Sequence, residues 1–163
     1  MPETSALVIN TGPILALVAA LGDLKVLQRH YQHVVVPCEV CDELLRSGMT
    51  VFAASEFQVA TFLDKRQQPT PLAPHLANAV DPGEAAVIQI ALNENIPVVC
   101  IDETVGRRLA RINGLLLTGS LGVLLKAHAA GDSIDLRVCI HRMRDRGVWI
   151  SRETEQSVIQ MLG

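Results

Sequence analysis

Short aliphatic runs alternate with longer segments in which apolar residues recur at helical spacing. Four runs read as strands: Ala6–Ile9, His33–Val36, Pro97–Ile101 and Leu115–Leu117. Each is too short for a helix and apolar on successive positions, as expected of a strand buried on both faces. Helical patterns lie between them, at Ile14–Leu21 and Leu24–Tyr31 (split by Gly22-Asp23), Pro37–Arg46, Pro82–Asn93 and Thr104–Ile112. Pro37 and Pro82 stand where a first helical residue tolerates proline. Further helices are predicted over Leu121–Ala130, Ile134–Arg146 and Glu153–Leu162, with "GVWIS" as a short extra strand. Strand–helix alternation of this kind predicts an α/β fold, a parallel sheet with helices on both faces.

From Gly48 to Val80 the pattern fades. "DKRQQPTPLAP" is polar and holds three prolines, so residues 48–80 read as a loop-rich excursion within one domain spanning 1–163, and 119–163 as C-terminal helices. Nearly half the chain is apolar but only five residues are aromatic, so aliphatic side chains must fill the core. No stretch is apolar and long enough to span a bilayer, since Gly12, Pro13, Gly22 and Asp23 interrupt the richest region. Residues 1–5 lack a charged leader, so a cytoplasmic protein is expected. The formal charge of −3 argues against nonspecific coating of duplex DNA and leaves room for a local basic strip. Cys38 and Cys41 form C-x-x-C, but Cys100 and Cys139 supply no second zinc pair; buried reduced thiols are expected.

The chemistry concentrates where strands end. In an open parallel sheet the loops after the strands leave from one edge, and ligands collect there. Asn10 follows the first strand and Asp102 follows "PVVCI"; Glu84 opens the helix that leads into that same strand, and Glu43 lies two turns into the helix after the second. Each has a structural alternative. Asp81-Pro82-Gly83-Glu84 reads as a capping box, Asp102 is placed to cap the helix that follows it, and Asn10 or Thr11 to cap the first helix. Glu43 caps nothing, but Glu39 and Asp42 bracket it, and spacing alone does not say which acid faces inward.

Ordered motifs through most of the chain add to this. "VINTGPILAL" with "LGDLKVL", "VVVPCEVCDEL", "DPGEAAVIQIAL", "VVCIDETVGRRLAR" and "GLLLTGSLGVLLKAHAAG" together resemble a PIN-domain protein of the bacterial and archaeal branch that opens with an "NTSPL"-like or "DTSPL"-like motif. The resemblance implies a three-layer α/β/α fold with a central parallel sheet of four or five short strands. It also implies a metal-dependent ribonuclease using Mg²⁺ or Mn²⁺, with Asn10, Glu43, Glu84 and Asp102 as metal ligands and the three acids as the catalytic set. Thr11, Thr118 and Ser120 would line the same edge and Arg107 would touch phosphate; Arg108 and Arg111 lie on the helix of Arg107 and either steer a nucleic-acid strand or form a solvated face.

The sequence departs from the pattern in three places: Asn10 stands where most such nucleases have Asp, Gly12 replaces a Ser, and His128 replaces a Lys. An amide oxygen still binds a hard cation or its water but brings no charge, and Mg²⁺ commonly needs only one or two carboxylates beside water and phosphate. The resemblance further implies single-stranded RNA as substrate, a homodimer, and the toxin half of a toxin–antitoxin pair. The arginines of "HRMRDRG" (Arg142, Arg144 and Arg146) are further candidates for steering the strand, with a solvated helix face as the alternative. Leu121–Leu125, or the last helix with Val158, Ile159 and Leu162, would offer a protein contact, although core packing is the more ordinary use of either. The alternative is a catalytically weakened PIN scaffold that binds nucleic acid or a protein partner without chemistry.

Overall fold

The computed structural model describes residues 6–46 and 51–162. Its centre is a five-stranded, wholly parallel sheet: β1 (Ala6–Ile9), β2 (His33–Val36), β3 (Asp64–Lys65), β4 (Val98–Cys100) and β5 (Leu116–Thr118), in the order β3-β2-β1-β4-β5. The helices are α1 (Thr11–Leu21), α2 (Lys25–His30), α3 (Cys38–Arg46), α4 (Val51–Val59), α5 (Pro74–Ala77), α6 (Pro82–Glu94), α7 (Thr104–Ile112), α8 (Ser120–Ala129), α9 (Leu136–Asp145) and α10 (Arg152–Met161). They flank the sheet in the expected three-layer α/β/α arrangement. Register pairs Val8 with Val35 on one side of β1 and Ile9 with Cys100 on the other. The chain steps outward from β1 to β2 and β3, then returns to β4 on the opposite flank. That reversal opens a crevice beyond the carboxyl ends of β1 and β4, where ligands collect in such sheets.

Aliphatic residues fill the core, as composition required. Leu7, Val8 and Ile9 of β1 are fully buried between the helical layers, together with Ile14, Leu17, Ile88 and Leu124. α6 packs on β1 and β4, and α1 packs on α9, α4 and α8. α1 stops at Gly22, whose φ of 85° is left-handed and costs glycine little; its N–H returns to the Val18 carbonyl across 2.8 Å.

Two expectations are corrected. The stretch 48–80 is more than an excursion: it holds α4, α5 and β3, the outermost strand (Gly48–Thr50 lie outside the described residues). The longest stretch of it without helix or strand is residues 66–73, where the prolines cluster. "GVWIS" forms no strand; Val148–Ile150 has no partner strand to pair with, and Trp149 is 84% exposed. The apolar residues along α8 and α10 serve the core, the more ordinary of the two uses expected for them: Val123, Leu124 and Val158 are buried, and Leu121, Leu125 and Leu162 pack against the core. Cys38 and Cys41 are free thiols, as expected, but half-buried, with only Cys100 and Cys139 fully inside. Among the described residues no helix is long and apolar enough to cross a membrane.

Candidate nuclease-type site at the switch point

Asn10 and Asp102 leave from adjacent strand ends. The Asn10 N–H donates to the Cys100 carbonyl at 3.1 Å, extending the β1–β4 ladder by one bond into the crevice. Asn10 occupies the N-cap position of α1, yet its amide makes no capping hydrogen bond, and the residue is only 6% exposed. Thr11 does not cap either. Its hydroxyl donates to Glu43 Oε1 at 2.7 Å, drawing α3 toward the start of α1.

That bond decides among the three acids of α3. Glu39 is held by Thr70, accepting from its N–H at 2.7 Å and its hydroxyl at 3.0 Å. Asp42 pairs with Arg46 one turn on, at 3.7 Å. Glu43 therefore faces the crevice, and its side chain meets the first turn of α6. Gly83 is the hinge of this corner. A Cβ there would stand 3.3 Å from Asn10 Oδ1, 3.5 Å from Asp81 Oδ1 and 3.5 Å from Glu43 Oε1, so three side-chain oxygens from three segments face one small space. A cleft of about 490 Å³ opens from it, lined by Glu39, Asp42, Glu43, Arg46, Asp81, Pro82 and Gly83.

The expected cap at the start of α6 is present. Asp81 Oδ1 accepts from the Glu84 N–H at 2.9 Å, with Pro82 at the first helical position. Glu84 itself is 4% exposed, and its Oε1 has no hydrogen-bond partner. Burial pushes its carboxyl up to about 8, helped by the hydrogen bond and charge of Asp81 and by the nearby Glu103 and Glu43. The side chain lies against Gly106 of α7, where any Cβ would collide with Oε1. An uncompensated buried oxygen of this kind is costly unless a proton or a cation joins it.

Asp102 forms the other half. It does not cap α7, whose N-cap is Glu103, but reaches sideways to the first residue of α8. Ser120 gives it a backbone N–H at 2.8 Å and a hydroxyl at 2.9 Å. Arg107 lies alongside. Its Nη1 donates to the Ile101 carbonyl at 2.7 Å and the Thr118 carbonyl at 3.3 Å, tying the ends of β4 and β5 together. Thr118, half-buried, ends β5 beside it. Arg108 and Arg111 are exposed on α7 and form no ion pair among the described residues.

The arrangement thus gathers Asn10, Thr11 and Glu43 with Asp81 at one corner, and Asp102, Ser120 and Arg107 at another, with Glu84 buried under the rim. Among the described residues no three Asp, Glu, His or Cys side chains stand close enough to hold a metal together. The arginines of "HRMRDRG" are engaged elsewhere: Arg142 with the Ala20 carbonyl, Arg144 with Glu155 and the Ile150 carbonyl, and Arg146 over the Phe52 ring. Sequence reasoning assigned Asp81 to capping alone and missed its place at the Gly83 corner. The glycine directly between a cap and a buried Glu was the available signal.

A doubly wound parallel sheet with acids at its switch point defines a class of α/β proteins that bind ligands at the strand ends. Comparison narrows it: a family model described as PIN domain matches residues 6–163, and the chain belongs to that family. The family has a nuclease-type fold and generally uses divalent metal ions. No curated protein and no solved structure gives a match.

Proposed function

We propose that the protein is a Mg²⁺- or Mn²⁺-dependent endoribonuclease acting on single-stranded RNA. The observation that carries this reading is the unpartnered Glu84 Oε1, buried at the switch point of a PIN domain. The donor set fits a hard divalent cation: the side-chain oxygens beside Gly83 belong to Asn10, Asp81 and Glu43, and Glu84 Oε1 lies unpartnered against Gly106. No more than two of Glu43, Glu84 and Asp102 would hold one ion at a time, with Asn10 as a neutral oxygen donor and water and substrate phosphate completing its shell. The bound ion would polarise the phosphodiester and acidify a water for in-line attack.

The chain's own residues have complementary tasks. Thr11 orients Glu43 and Ser120 orients Asp102, so two acids are aimed before substrate arrives. Arg108 and Arg111 offer free positive charge to the phosphate backbone. Arg107 is engaged with strand ends, and its part in phosphate binding is correspondingly smaller. The family reading extends to a cytoplasmic toxin restrained by an antitoxin and to a homodimer.

The test is incubation of labelled RNA with Mn²⁺ and wild-type protein, beside Asp102→Asn and a chelator control. Cleavage by wild type that the variant and chelator abolish supports the reading; equal cleavage by both proteins rejects it. One observation favours a second reading, a PIN scaffold that binds without cutting: Asn10 brings no charge, and no three acids stand together. Metal-independent RNA binding with no turnover would identify that case.

A further inference from the structure

The structure contains a feature that the four-residue set leaves out. Asp81 shares the Gly83 corner with Asn10 and Glu43, and its Oδ1 is as near to that space as Glu43 Oε1 is. Asn10 is more than nine-tenths buried and its amide makes no hydrogen bond among the described residues, so its Oδ1 faces the corner without a protein partner. The cleft beside Asp81, Pro82 and Gly83 gives a hydrated ion access.

We propose that Asp81 completes a divalent-cation site with Asn10 and Glu43, supplying the negative charge that Asn10 lacks. Asp81 keeps its capping bond to the Glu84 N–H while doing so, because a carboxylate has about four lone-pair positions and the cap uses one. The charge normally carried at the end of the first strand is thereby moved to the start of α6. A corner with Asp81 and Glu43 satisfies Mg²⁺ or Mn²⁺ with one amide, two carboxylates and water. The proposal rests on the nuclease reading for its biological meaning but not for its measurement.

The experiment is Mn²⁺ titration of the full chain, by calorimetry and by the loss of the free-Mn²⁺ paramagnetic signal, for wild type, Asp81→Asn and Asn10→Asp/Asp81→Asn. Asn caps helices about as well as Asp, so Asp81→Asn removes charge and preserves the fold, which thermal melting verifies. The expected result is a loss of Mn²⁺ affinity of about tenfold or more in Asp81→Asn, restored in the double variant. Unchanged affinity in Asp81→Asn overturns the proposal and leaves the nuclease reading standing on Glu84 and Asp102. Failure of the double variant to recover overturns the charge replacement. No Mn²⁺ binding by wild type at millimolar concentration overturns the site itself. If the binding pattern appears while RNA stays uncut, the nuclease reading fails and the Asp81 site stands.

Discussion

The Thr11 hydroxyl donates to Glu43 Oε1 at 2.7 Å, joining two residues 32 positions apart at the mouth of the crevice. Thr11 is 7% exposed and Glu43 is solvent-accessible, so the bond spans the boundary between core and cleft. Thr11→Val keeps the shape and removes the donor. A loss of about 1 kcal/mol in urea unfolding is expected, with weaker Mn²⁺ binding because Glu43 is no longer aimed. Thr11→Ser should recover most of both.

Glu84 sets a pH dependence whose sign follows from its position. Its carboxyl is raised from 4.5 to about 8 in the folded protein. Between those values the native state holds a proton that the unfolded chain has released, so stability falls as pH rises, by a few kcal/mol in all. Below 4.5 both states are protonated and the term is flat. Glu84→Gln should remove the slope: the variant and wild type are similar near pH 4.5 and diverge in the variant's favour toward pH 8, read by urea midpoints. Added Mn²⁺ should stabilise wild type more than the variant at the alkaline end.

Gly106 and Gly12 form a matched pair. A Cβ at Gly106 would collide with Glu84 Oε1 and stand 3.0 Å from Ile101 Cγ2, whereas one at Gly12 meets nothing within 4 Å. Gly106→Ala should therefore lose about 1–3 kcal/mol to overpacking, against a helix-propensity gain of about 1 kcal/mol. Gly12→Ser should leave the melting temperature close to wild type, since only open space receives the hydroxyl.

Ser120 and Asp102 are suited to a double-mutant cycle. Ser120→Ala removes one of two donors to Asp102 and should cost about 1 kcal/mol, leaving the backbone N–H in place. Asp102→Asn weakens both bonds. A coupling energy above about 0.5 kcal/mol in thermal unfolding would show that the two act as one unit; additive effects would reject that.

Sequence pattern located β1, β2, β4 and β5 because each is an aliphatic run with turn residues at its ends. β3 escaped because two residues, Asp64 and Lys65, carry no periodic signal. It is held as an edge strand by its pairing to Val35 and Val36, with Asp64 also bonded to His33 and Arg66. "GVWIS" misled for the converse reason: alternation without a neighbouring strand to pair with has no ladder to join. The edge residues were legible because strand ends must converge in a parallel sheet. Which acid of α3 faces inward was not legible, since Thr70 and Thr11 decide it from distant segments. Asp102 capping α8 was equally hidden, because sequence proximity favours the helix that starts two residues later.

The grip of Ser120 on Asp102 makes the last three helices more than a covering. The acid two residues past β4 holds the first residue of α8, so the crevice is fastened to the C-terminal third of the chain by side chain as well as by backbone. A shortened chain stopping before Gly119 would strand that carboxylate without its donors and leave α1 without its neighbours α8 and α9. Truncation before Gly119 should therefore dismantle the crevice together with the fold.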